Sequence, residues 1–340
     1  MEKYLLLPLI VSLFLALCYV YHSSFSSSLN STMLRPSRLL PAIPSDQPNP
    51  GSSKRSGVHK HYFHTFWLMG KGGPLNEKVV TAYRSVLRIH RNIRFIVWTL
   101  PRTKEATEQQ IESLKTFCPT SSIEVKTTLD LIEMVKADGS ALKMCEEALS
   151  LTYENFDLAA VSDLIRFVAL YYYGGIYVDS DVLMVKSMAP FFNKDFAFRW
   201  DSGNARYNTC VMGLKKNSQL TTKVITHFNE CKASTFHPEK VIDALSCPHR
   251  ICEDFLMYPT HLFDPMQVDP DTPVKKAWQW MQPNPTGDRF EWFFKENRTT
   301  SLNAFFPGIY AYHWHNRWDA DIHPESFFAE FQRLNAKCEL

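Results

Sequence analysis

Residues 161 to 187 read VSDLIRFVALYYYGGIYVDSDVLMVKS, and the order of elements in this stretch decides the fold of the chain. Its first part is helical in pattern over residues 154 to 173. Ser162 is placed to cap a helix, and Asp163 and Arg166, three residues apart, share a helical face. Flanked by the apolar runs LAAV and FVAL, these charges are costly unless employed. Gly174-Gly175 then breaks the helix, and the apolar strand IYV runs into Asp179-Ser180-Asp181. Carboxylates at i and i+2 of an extended strand point to the same side, so Asp179 and Asp181 face one ion together if the strand holds to its end. Oxygen ligands suit Mn²⁺ or Mg²⁺, typically completed by phosphate oxygens, and such a cation stabilises the charge that develops on a departing diphosphate.

An Asp-x-Asp triplet alone says little. Asp269-Pro-Asp271 and Asp319-Ala-Asp321 also match it, the first inside the Pro-rich loop DPDTP and the second among polar residues with no apolar strand leading in. The triplet at 179 differs in context: GGIYV, a tight turn and a strand, precedes it, and VLMV follows.

Upstream, folded sequence begins near Val58, and HYFHTFWLM has the composition of a buried strand, followed by the loop KGGPLN. Residues 77 to 90 put Val80, Tyr83, Val86 and Leu87 at helical spacing, and RFIVWTL from Arg94 reads as the next strand. Residues 104 to 117 look helical and SIEVKT near Ser122 strand-like. Strands alternating with helices predict an α/β fold with a mainly parallel central sheet covered on both faces, where ligands bind beyond the carboxyl ends of strands. Beyond Pro190 the pattern becomes irregular and rich in Pro, Trp and Phe, a half expected to supply covering loops and a second substrate pocket.

The chain's 340 residues allow one large domain with appendages, and a net charge of +2 with dispersed Lys and Arg excludes a nucleic-acid backbone as partner. Residues 4 to 21, YLLLPLIVSLFLALCYVY, carry no charge; as a helix they would reach about 27 Å, enough for a thin bilayer. The run is longer than the usual h-region of a cleaved signal peptide and no small-x-small triplet closes it, which favours an uncleaved signal anchor over residues 1 to 22. Residues 23 to 57, dominated by Ser, Pro and Asn, form a flexible stem. Outside the anchor lie Cys118, Cys145, Cys210, Cys231, Cys247, Cys252 and Cys338, an odd set that leaves at least one free or paired between chains. With no CxxC pair a structural zinc site has little support, and the sequons at Asn30 and Asn297 are compatible with luminal exposure.

The combination SDxxR and GGxYxDxD within residues 161 to 187 resembles the sugar-binding region of the DxD glycosyltransferases, which include α-1,4-galactosyl- and α-1,4-N-acetylglucosaminyltransferases, fungal initiating α-mannosyltransferases and clostridial glucosylating toxins. The resemblance is strongest over 158 to 188, fainter over 58 to 100 and 305 to 318, and absent over anchor and stem. It implies a single-domain, Rossmann-like glycosyltransferase type A fold over residues 58 to 340. It also implies that Asp163 and Arg166 contact the donor's sugar and phosphates, that Tyr177 lies beside the nucleotide, that Asp179 binds ribose or sugar hydroxyls and shares the metal region, and that Asp181 coordinates the metal. Trp67 looks like the family's aromatic that stacks on the base, with core packing or Phe66 as alternatives. His313 resembles the histidine that completes metal coordination, with His315 two residues away. Asn208 resembles a position near the transferred sugar. The expectation is a retaining transferase, dependent on Mn²⁺ or Mg²⁺, that moves a hexose or N-acetylhexosamine from a UDP-sugar to a glycan acceptor, in a type II protein of the Golgi membrane with its catalytic domain in the lumen. The alternatives are an aspartyl-phosphate phosphatase, whose apolar strand also ends in DxD, and a non-catalytic protein that keeps the fold.

Overall fold

The computed structural model describes residues 61–67, 75–138, 158–200, 207–231, 255–267, 291–296 and 308–338. All of them lie in the unit Ser56–Leu340, one of two into which the chain divides. The anchor and stem expected over residues 1 to 57, the triplet Asp269-Pro-Asp271 and the sequons fall outside the described residues. Among the described residues no helix is long and apolar enough to cross a membrane.

The first half folds as its hydrophobic pattern dictates. Strand β1 (His61–Phe66) is followed by α1 (Glu77–Ile89), which Asn76 caps by accepting the Val79 N–H at 3.1 Å. The helix buries Val79, Ala82, Tyr83, Val86 and Leu87 on one face, the i, i+3, i+4 stripe of a helix laid on a sheet. Strand β2 (Ile93–Thr99), helix α2 (Lys104–Lys115), strand β3 (Ser122–Thr127) and helix α3 (Thr128–Asp138) continue the alternation. Helix α4 (Leu158–Tyr173) then leads into β4 (Gly175–Val178).

The sheet has the order β3-β2-β1-β4-β7-β6-β8, with β7 at Tyr207–Leu214, β6 at Asp195–Arg199 and β8 at Phe255–Tyr258. Strands β3, β2, β1 and β4 run parallel; β7 is antiparallel to both neighbours, and β8 is parallel to β6. This is a mixed α/β fold with a mainly parallel central sheet. Alternate residues of the inner strands feed two cores, one on each face. Phe63, Phe95 and Val97 pack with α1 and α2, while Ile96, Trp98 and Tyr177 pack with α3, α4 and helix α5 (Gln219–Cys231). The chain builds β2 and β3 on one side of β1 and returns with β4 on the other, so the strand order reverses between β1 and β4. That is where a crevice opens at the carboxyl edge of such a sheet.

A two-stranded sheet pairs β5 (Val182–Met184) with β9 (Ala311–His313), antiparallel, with Val182 opposite His313. Residues far apart in sequence are thereby joined just beyond Asp181. Helix α6 (Phe327–Leu334), capped by Ser326, buries Phe327, Phe328 and Phe331 in the same core, and Phe293 stacks on Tyr312 with ring centroids 4.0 Å apart. The half beyond Pro190, read as irregular from sequence, thus contains four strands and two helices among the described residues. The strands are short or buried throughout and lack the alternation that would have exposed them, whereas the apolar stripe of α6 does carry a helical period.

Candidate functional site

The path to the site begins at the turn from α4 into β4. Gly174 and Gly175 have φ of +66° and +105°, and a Cβ on Gly175 would collide with the Tyr62 carbonyl oxygen of the neighbouring strand. His64 fixes this turn from β1, its Nε2–H donating to the Gly174 carbonyl at 3.0 Å while its Nδ1 accepts the Trp98 indole N–H at 3.2 Å. Beyond the turn β4 is short. It ends at Val178, and the next four residues form a turn in which the Val182 N–H donates to the Asp179 carbonyl at 3.1 Å. The expectation that an unbroken strand carries Asp179 and Asp181 on one side is therefore corrected. A turn, not strand alternation, presents the two carboxylates.

Each carboxylate is held by a different set of partners. Asp179 Oδ1 accepts from Arg166 Nη2 at 3.1 Å, and its own N–H donates to the Cys210 carbonyl at 2.8 Å. Arg166 is buried; Nη2 also reaches Asp163 Oδ1 and Ser162 Oγ at 3.1 Å, Nη1 donates to Thr209 Oγ1 at 2.6 Å, and the guanidinium lies 4.6 Å from the Tyr177 ring centroid. Ser162 sits inside α4, so it does not cap the helix; its hydroxyl instead links Arg166 to the Tyr177 hydroxyl at 3.1 Å. Burial raises the Asp179 carboxyl above the ordinary range, Arg166 opposes that rise, and Asp181 adds to it. Burial would also raise Asp181, but His313 and the Asn316 N–H outweigh it and hold this carboxyl below the ordinary range. The Asp181 side chain is 5% exposed. Its Oδ2 faces His313 Nε2 at 3.1 Å and accepts the Asn316 N–H at 2.8 Å, while its carbonyl accepts the Trp314 N–H at 3.1 Å.

Ligand atoms of Asp179, Cys210 and His313 lie within 4.8 Å of one another, and Asp181 Oδ2 lies 3.1 Å from His313 Nε2, so each aspartate of the triplet approaches His313. Two carboxylates and one imidazole form a donor set that fits a divalent cation of the Mn²⁺ or Mg²⁺ kind. Cys210 is the weakest candidate, because burial pushes its thiol up to about 12 and keeps it protonated. A second group unites Asp264, His313 and His315.

The remaining sequence candidates are less direct. Asn208, on β7, is buried; its Oδ1 accepts the Cys210 N–H at 2.8 Å and its Nδ2 has no partner. Trp67 follows β1 and is 5% exposed within the core; its backbone N–H donates to the Trp98 carbonyl at 2.9 Å, its indole N–H has no partner, and its ring meets Trp318 edge-on at 5.7 Å. Phe66 belongs to the core on the opposite face of the sheet. Trp318 lies in a loop pinned by a buried lysine: Lys78 Nζ donates to the carbonyls of Arg317, Trp318 and Ala320 at 2.5, 3.0 and 2.5 Å. The two preceding residues, His315 and Asn316, have φ of 51° and 56°, and this left-handed pair delivers the Asn316 N–H to Asp181. Lys78, Asp264 and Asn316 escaped the sequence reading. No local motif marks them, and each acts on a partner at least fifty residues away. Asp319 and Asp321 line an open cleft of about 550 Å³ with Lys295 and His323, apart from the triplet at 179.

Residues 76–197 match the family described as a glycosyltransferase sugar-binding region containing a DXD motif. No curated protein matches the chain in sequence. Among solved structures it is similar to the PaToxG glycosyltransferase at 14% identity, covering 65% of this chain and 74% of that one with a TM-score of 0.39. Mouse xyloside xylosyltransferase 1 is 11% identical over 60% and 86% of the two chains, with a TM-score of 0.42. The galactosyltransferase LgtC, in complex with donor and acceptor sugar analogs, is 12% identical over 81% and 95%, with a TM-score of 0.43. Residues 76–197, which contain the turn at Asp179-Ser180-Asp181 and its Arg166 support, are thus the part of the chain that is similar to the glycosyltransferases whose sugar-binding region carries the DXD motif.

Proposed function

We propose that the protein is a retaining, metal-dependent glycosyltransferase that moves a hexose or N-acetylhexosamine from a UDP-sugar to a hydroxyl of a glycan acceptor on glycolipid or glycoprotein. The approach of both Asp179 and Asp181 to His313 carries this reading. In it Asp181 and His313 are metal ligands and Asp179 divides its carboxylate between metal and donor. Mn²⁺ suits the imidazole better than Mg²⁺ does. The bound cation would act as Lewis acid toward the leaving diphosphate.

The protein's own groups then have definite tasks. Arg166, inaccessible beneath Asp179 and committed to Asp163 and Asp179, orients the carboxylates from below rather than clasping phosphate. Tyr177 supports it as the surface on which the guanidinium lies. The unpartnered Nδ2 of Asn208 is a donor for a sugar hydroxyl. Trp67, beside Trp318, offers a ring for the base, a stack worth about 1 to 3 kcal/mol. No second acidic residue can be assigned as nucleophile from the sequence, which favours front-side attack with the leaving phosphate oxygen helping to remove the acceptor proton. The apolar run at residues 4 to 21 and the sequons support placement as a single-pass Golgi protein with a luminal catalytic portion.

The deciding assay incubates the protein with a panel of nucleotide-sugars and Mn²⁺, with and without chelator, and measures free nucleotide. Metal-dependent UDP release that falls by about 10³-fold in Asp181→Ala is expected. Full activity in that variant, or release of phosphate from a phosphomonoester with no nucleotide-sugar turnover, sinks the reading.

A further inference from the structure

Asp264 has no place in the scheme above, yet it is the most deeply enclosed carboxylate near the site. It follows a short 3-10 turn, Thr260–Leu262, and its backbone is tied down: its N–H donates to the Thr260 carbonyl at 2.8 Å and its carbonyl accepts the Gln267 N–H at 3.1 Å. The turn is fastened to β9, since the Tyr310 N–H donates to the Leu262 carbonyl at 2.7 Å, and to β6, since Thr260 Oγ1 donates to the Arg199 carbonyl at 2.7 Å. The Asp264 side chain is 0% exposed. Its Oδ2 lies 2.8 Å from His315 Nε2 and 3.5 Å from His313 Nδ1, and its Oδ1 has no partner. The two rings stack with centroids 3.9 Å apart. A buried carboxylate with an idle oxygen is costly and calls for a role.

His313 has two distinct nitrogens. Nε2 faces Asp181 at 3.1 Å, and Nδ1, which makes no hydrogen bond, has Asp264 Oδ2 beside it at 3.5 Å. A ligating imidazole offers a lone pair from one nitrogen and carries its proton on the other, and that N–H is commonly held by a carboxylate that fixes ring orientation and tautomer. We propose that Asp264 is the positioning residue of the metal site, accepting the Nδ1–H of His313 and the Nε2–H of His315 so that His313 presents its Nε2 lone pair beside Asp181. The inference rests on the DXD metal reading and adds to it a carboxylate outside the matched region. His315 acts as a second strut, stacked on His313 and sharing Asp264 Oδ2 with it.

Mn²⁺ affinity of the full chain, titrated by the EPR signal of free Mn²⁺, tests this without turnover. Asp264→Asn is near-isosteric and is expected to weaken Mn²⁺ binding about 10- to 100-fold. In a His313→Ala background the same change should alter affinity by less than about 2-fold, because Asp264 then has nothing to position. Wild-type affinity in Asp264→Asn, with Asp181→Ala having lost binding, overturns the proposal and leaves the metal reading standing. Wild-type affinity in Asp181→Ala removes both. An undiminished effect of Asp264→Asn in the His313→Ala background marks a merely structural role and overturns the proposal. Should Asp264→Asn fail to fold, wild-type protein labelled with ¹⁵N-histidine and loaded with diamagnetic Cd²⁺ decides the matter. A proton on His313 Nδ1 is required, and a proton on Nε2 overturns the assignment.

Discussion

Arg166 shows what a single side chain is asked to do here. It satisfies Asp163, Asp179, Ser162 and Thr209 at once, which a planar fork with five donors can do and a flexible ammonium cannot. Arg166→Lys should therefore lower kcat for nucleotide release by about 10²-fold while the protein stays folded, as read from steady-state kinetics beside a thermal melt. His64 and His90 carry a different prediction. Each uses both ring nitrogens as a neutral imidazole. His64 donates to Gly174 and accepts from Trp98; His90 donates from Nδ1 to the Val86 carbonyl and accepts the Met188 N–H on Nε2 at 2.8 Å. Burial lowers both to about 4, with the backbone bonds opposing it and His61 adding to the effect at His90. Both folded values lie below the ordinary 6.5, so between 6.5 and 4 the unfolded chain binds protons that the folded chain does not. Stability is thus fully present above pH 6.5 and falls as pH drops through that window, by up to about 3 kcal/mol per histidine. Urea melts at pH 7.5 and 5 measure the loss, and His90→Gln should shrink it by roughly half. Of the site residues, Asp163, Arg166, Asp179 and Asp181 were legible because one short segment carries them all. Asp264 and Asn316 were not, because nothing local records a contact made across the fold.

Among elements, the turn from α4 into β4 bears most on function, since it aims the triplet. Gly175 has φ of +105° and no room for a Cβ beside the Tyr62 carbonyl, so Gly175→Ala combines backbone strain with a backbone collision. A loss of about 3 kcal/mol in urea unfolding is expected. Gly308→Ala, at φ +85° with nothing within 4 Å, should cost only about 1 kcal/mol, which separates conformation from collision. Equal losses in the two variants would show that close approach to β1 contributes nothing. Elements of the first half were readable from periodicity, as α1 illustrates: of the stripe Val80, Tyr83, Val86 and Leu87 the last three are buried, and Val79 and Ala82 join them. The direction of β7 was not: its eight residues are buried throughout, and an apolar run records burial without recording whether its neighbour runs parallel. The end of β4 was missed for a related reason, because no breaker residue separates Val178 from Asp179 and the turn depends on pairing of β5 with β9.

At the scale of the molecule, Cys118 and Cys338 form a disulfide across 220 residues of sequence, joining the segment after α2 to the segment after α6. Cys210 is the free cysteine among the described residues, buried on β7. Sequence alone counted an odd set of candidates and could not choose a pair, since pairing depends on which chain ends the fold brings together. The loop closed by this bond contains Arg166, Asp179, Asp181, Asp264 and His313, while His64 and Lys78 lie outside it. Opening it should act on the unfolded ensemble more than on the site. Loop-closure entropy for a ring of this size amounts to about 5 kcal/mol as an upper figure, and at roughly 2 °C per kcal/mol for a domain this large the melting midpoint should fall by about 10 °C. Adding reductant to wild-type protein should produce that fall, and Cys118→Ala/Cys338→Ala should melt at the reduced temperature and no longer respond to reductant. Under the proposed metal reading, Mn²⁺ affinity at 25 °C should change by less than about 2-fold in either case, because Asp179, Asp181 and His313 keep their own neighbours in Arg166, Asn316 and Asp264. A large loss of Mn²⁺ affinity on reduction, at a temperature where the protein is still folded, would mean that the disulfide holds the C-terminal strand β9 in register against β5 and so belongs to the site itself.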